Sequence, residues 1–62
     1  MTTVKLLCVY VNTDKQKFRF LATNDMKNAQ GTMESLNLML EKGWLASNIK
    51  SVTMSVEDIT LS

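Results

Sequence analysis

The sequence predicts a small α+β domain of order β-β-α-β, with a three-stranded sheet in the order 2-1-3 and one helix packed on one face. Three observations carry this prediction. Leu6-Leu7-Cys8-Val9-Tyr10-Val11 is apolar on both faces of a strand, so it belongs in the middle of a sheet. Met26, Ala29, Met33, Leu36 and Leu40 are spaced 3, 4, 3 and 4 apart, the stripe of an amphipathic helix. Val52, Met54 and Val56 alternate with Ser51, Thr53 and Ser55, the pattern of a half-buried strand.

The first strand runs from Thr3 to Val11, and the polar stretch Asn12-Thr13-Asp14-Lys15-Gln16 has the length of a hairpin loop. The second strand, Lys17 to Ala22, places Phe18, Phe20 and Ala22 on one face and Lys17, Arg19 and Leu21 on the other. The aromatic face is assigned to the core. Thr23-Asn24-Asp25 supplies oxygens that accept from the unpaired first N–H groups of a helix. Gly31 weakens that helix by about 1 kcal/mol relative to alanine, which predicts fraying up to Thr32. Lys42 complements the negative helix end, Gly43 suits a left-handed closing residue, and Trp44 is placed to fold back on Met39. In the third strand Ile59 and Leu61 fall on the opposite parity from Val56, so a bulge or bend is expected at Glu57-Asp58. A right-handed crossover then sets the third strand beside the first.

A chain of 62 residues holds one domain, residues 1–62, and buries only about 60% of the surface its unfolded form exposes. One cysteine excludes an internal disulfide, and the absence of histidine removes the usual ligand of a zinc site. Oligomerisation is the remaining staple. A net charge of +1 gives no field to steer the chain onto nucleic acid or an anionic membrane. Met1-Thr2-Thr3 leads into the apolar run without the pattern of a signal peptide, and no run approaches the ~20 residues of a membrane-spanning helix. The expected compartment is the reducing cytoplasm, with no membrane association and no cofactor.

Catalysis needs convergent groups of suitable protonation behaviour, and one cysteine with six carboxylates is a poor inventory, so no enzyme and no metal site is expected. Adjacent Glu57 and Asp58 point to opposite faces of a strand. Cys8 reads as a small buried hydrophobe facing the helix, and the methionines as core filling. Leu7, Val9, Val11 and Leu21 then form a second apolar surface that the helix does not cover, with Leu38 also outside the helix stripe. These five residues are the expected protein interface. The expected function is a non-catalytic interaction module, oligomeric, of the kind small bacterial or phage regulators and inhibitors represent. Two alternatives stand beside it: a single-stranded nucleic-acid binder using Lys15, Lys17 and Arg19 next to the phenylalanines, and a small accessory subunit of a larger enzyme. Nucleic acid ranks lower, because the basic and aromatic residues alternate onto different faces.

Overall fold

A computed structural model describes residues 2–61. Four elements follow in order: β1 (Thr2–Thr13), β2 (Lys17–Thr23), α1 (Met26–Glu41) and β3 (Ile49–Leu61). They form one sheet ordered β2-β1-β3, with β1 antiparallel to both neighbours. The α+β class, the element order and the central place of β1 are as the sequence predicts.

The strands are longer than their apolar runs. β1 continues to Thr13, whose side-chain oxygen accepts from the backbone N–H groups of Lys15 and Gln16 and so closes a tight turn. Asp25 starts α1, accepting from the N–H groups of Lys27 at 3.0 Å and Asn28 at 3.5 Å. The helix runs unbroken through Gly31, because that residue lies on the exposed side while Ala29 and Leu36 are buried on the other. Fraying to Thr32 is not observed. At the far end, Gly43 adopts φ 75°, its N–H bonds the Leu40 carbonyl at 3.1 Å, and the Trp44 N–H bonds the Met39 carbonyl at 2.9 Å. This pair of bonds is a Schellman closure. Trp44 thus folds back on Met39 through its backbone, while the residue itself stays 70% exposed.

The core lies between α1 and the sheet. Val9, Ala29, Leu36 and Val52 are buried there, with Leu7, Val11, Leu21, Met33, Met39 and Met54 packed against them. This reverses the expected faces of β1: Val9 points at the helix, and Leu7, Val11 and Leu21 lie beneath it with Val9 rather than on an uncovered surface. Cys8 is fully buried as well, yet it belongs to the opposite face and is no part of this cluster. The expected aromatic core face of β2 is also corrected, since Phe18 and Phe20 are 51% and 60% exposed and Leu21 does the packing.

A bulge explains the reversal in β2. Val9 pairs with Leu21 but Tyr10 pairs with Arg19, so Phe20 is the extra residue. It shares a shallow groove with Leu36 and Met39 of the helix, on the same side as Leu21. A second bulge leaves Lys50 unpaired, between Asn12 with Ser51 and Thr13 with Ile49. No bulge occurs at Glu57-Asp58; the ladder runs in register from Ser51 to Leu61, and Ile59 and Leu61 lie opposite Val4 and Thr2. The change of apolar parity there marks where the sheet outruns its helix, for β2 pairs with β1 only from Leu7 to Asn12.

Candidate interaction surface

Among the described residues, two uncovered surfaces are suited to a partner: the sheet face away from α1, and the outer edge of β3. Paired residues share a face in an antiparallel ladder, so the open face carries Val4, Leu6, Cys8, Tyr10 and Asn12 of β1. Beside them lie Lys17, Arg19 and Ala22 of β2, and Ser51, Thr53, Ser55, Glu57 and Ile59 of β3. It is mixed in character, apolar at the Val4–Ile59 end and polar toward the hairpin turn.

Tyr10 organises the middle of this face. Its register partner is Thr53, and its hydroxyl interacts with Glu57, four residues along β3. Lys17 Nζ stands 4.2 Å from the centre of the same ring. The Tyr10 hydroxyl first, and the Ser55 hydroxyl that donates to Glu57 at 2.9 Å second, hold the Glu57 carboxyl below the ordinary carboxylate range. The same contact with Glu57, followed by desolvation, raises the Tyr10 phenol above its usual value. Nearer the turn, the Asn12 side-chain amide donates to Ser51 at 3.2 Å and to Thr53 at 3.0 Å.

The second surface is the backbone edge of β3, a strand of 13 residues with no neighbour on its outer side. β2, the other edge, has seven residues, a bulge at Phe20 and two basic side chains. These are common devices for discouraging further pairing. From Ser51 to Leu61 β3 has no bulge and no basic residue, its charges being confined to Glu57 and Asp58, and on its helix-facing side Val56 is 62% exposed.

The residues expected from the sequence are thus distributed differently. Leu7, Val9, Val11 and Leu21 form the floor of the core, and Leu38 stands on the outer side of α1 at 50% exposure. Lys17 and Arg19 reach the open face as their alternation implies, whereas Lys15 sits in the turn. Glu57 and Asp58 do face opposite ways: Glu57 joins Tyr10, and Asp58 pairs with Lys5 at 3.3 Å in a well-exposed ion pair. Tyr10 and Glu57 are the pair that sequence reasoning missed. Among the described residues, no cluster of three potential ligands could hold a metal ion, and no helix is long and apolar enough to cross a membrane. Comparisons with protein-family models, with curated proteins and with solved structures give no match.

Proposed function

We propose that this protein is a non-catalytic protein-interaction module whose first partner is a second copy of itself. One observation carries the reading: a single helix covers one side of the sheet, leaving the opposite face and the long edge strand β3 open. A domain with so few buried side chains gains from any partner that binds only its folded form. Sedimentation velocity across the micromolar range is the test, with a concentration-dependent dimer expected. A monomer at every concentration would end the self-association reading.

A second reading, binding of single-stranded nucleic acid, is supported by Lys17 and Arg19 lying beside an aromatic ring on an open sheet face. Against it, Lys17 already caps the Tyr10 ring and Glu57 puts a carboxylate at the other end. Retention of a labelled oligonucleotide that falls steeply with added salt would favour this reading over the first.

A further inference from the structure

We propose that two copies pair through β3, antiparallel about a twofold axis at Met54, extending the two sheets into one of six strands; this rests on the self-association reading above. The occupant of the open edge is a second copy, and the charge pattern of β3 selects the register.

A symmetric antiparallel pair has its axis through one residue of the strand, and moving the axis by one residue changes every partner. With the axis at Met54, Ser51 faces Glu57 of the second copy, Val52 faces Val56 and Thr53 faces Ser55, while Lys50, in the bulge just beyond the regular ladder, comes level with Asp58 and reaches it with its long side chain. Each ionic or polar residue then meets a suitable partner, and each apolar residue meets an apolar one. Moving the axis to Thr53 would set Lys50 against Val56; moving it to Ser55 would set Asp58 against Val52. Both alternatives lose the ion pairs and waste an apolar side chain.

The faces agree with this register. Val52, Met54, Val56 and Asp58 lie on the helix side through their ladder partners Val11, Val9, Leu7 and Lys5. Val56, exposed in one copy, comes against the buried Val52 of the other, and this happens twice. Met54 borders a groove with Met33 and Asn37 of α1, so the Met54 pair on the axis closes this groove from both sides. Asp58 already accepts from Lys5 and gains Lys50 of the second copy on its other flank.

Single cysteines at Thr53, Met54 and Ser55 test the register, since opposed residues in an antiparallel pair stand at disulfide distance. Cys8 is buried and does not compete. Met54→Cys is expected to cross-link with itself under mild oxidation, whereas Thr53→Cys and Ser55→Cys cross-link only when the two variants are mixed. The mixed pair serves even where Met54→Cys folds poorly. Separately, Lys50→Asp and Asp58→Lys should each raise the dimer dissociation constant roughly tenfold or more, and the double exchange should restore it to within about threefold. A dimer that ignores both charge reversals and forms none of these cross-links would overturn the β3 pairing while leaving self-association intact, and would point to the open sheet face. A protein that sediments as a monomer throughout overturns both.

Discussion

At the scale of single residues, position in the core outweighs hydrophobicity. Leu36 is 5% exposed and Leu38 ten times more so, although both are leucines on one helix. Leu36→Ala is expected to cost about 2–4 kcal/mol and Leu38→Ala less than about 0.5 kcal/mol, read from urea unfolding midpoints. Val9→Lys places an ammonium among Ala29, Leu36 and Val52 and should abolish the cooperative transition in circular dichroism. The Tyr10–Glu57 contact acts through protonation. Because the Glu57 pKa is depressed in the folded state, its stabilisation is present above the unfolded-state pKa and fades as pH falls through the folded one. The Tyr10 pKa is raised, so its share is present below the ordinary phenol pKa and fades as pH rises through the folded value. Tyr10→Phe should therefore flatten the alkaline limb of a stability–pH curve, and should move the Glu57 carboxyl titration upward when followed by NMR.

At the scale of elements, the ends of α1 are specified by single side chains. Asp25→Ala removes the cap on two N–H groups and should cost about 1 kcal/mol. Gly43→Ala, at φ 75°, has space for the methyl group but not the backbone preference, and should cost about 1 kcal/mol in the same urea assay. Those ends were legible in the sequence, as were the strand order and the helix register, because caps and periodicities are local. The covered face of the sheet was not. β1 is apolar on both parities, so it cannot say which side the helix takes, and the choice falls to β2, where Phe18 and Phe20 outweigh Leu21 on hydrophobicity. The bulge at Phe20 breaks that argument by setting residues of both parities on the helix side, and no residue type there announces it. The better guide was β3: its Val52 and Met54 parity faces Val11 and Val9 once the ladder is known, but register is a long-range property. With the faces exchanged, nothing in the sequence singles out Tyr10 beside Glu57, since the two meet only through the β1–β3 ladder.

At the scale of the whole molecule, a core of four buried apolar residues, with Cys8 sealed on the other face, leaves little stability in reserve. If the folded chain associates, its melting temperature must rise with protein concentration, because dilution favours the species that unfolds singly. Calorimetry across a hundredfold range of concentration should show a rise of several degrees in the wild type, and a smaller rise in Lys50→Asp. An unchanged midpoint would mean that each chain holds itself together alone.

Cys8 has a use that follows from where it is sealed. It lies on the uncovered side of the sheet, two residues from Tyr10, and is nonetheless inaccessible to solvent. A thiol reagent can reach it only when the side chains around it move aside or the whole chain opens, so the labelling rate is a stopwatch on those two events. Urea tells them apart: a rate indifferent to low denaturant times a local side-chain movement, and a rate climbing with it times the opening of the fold.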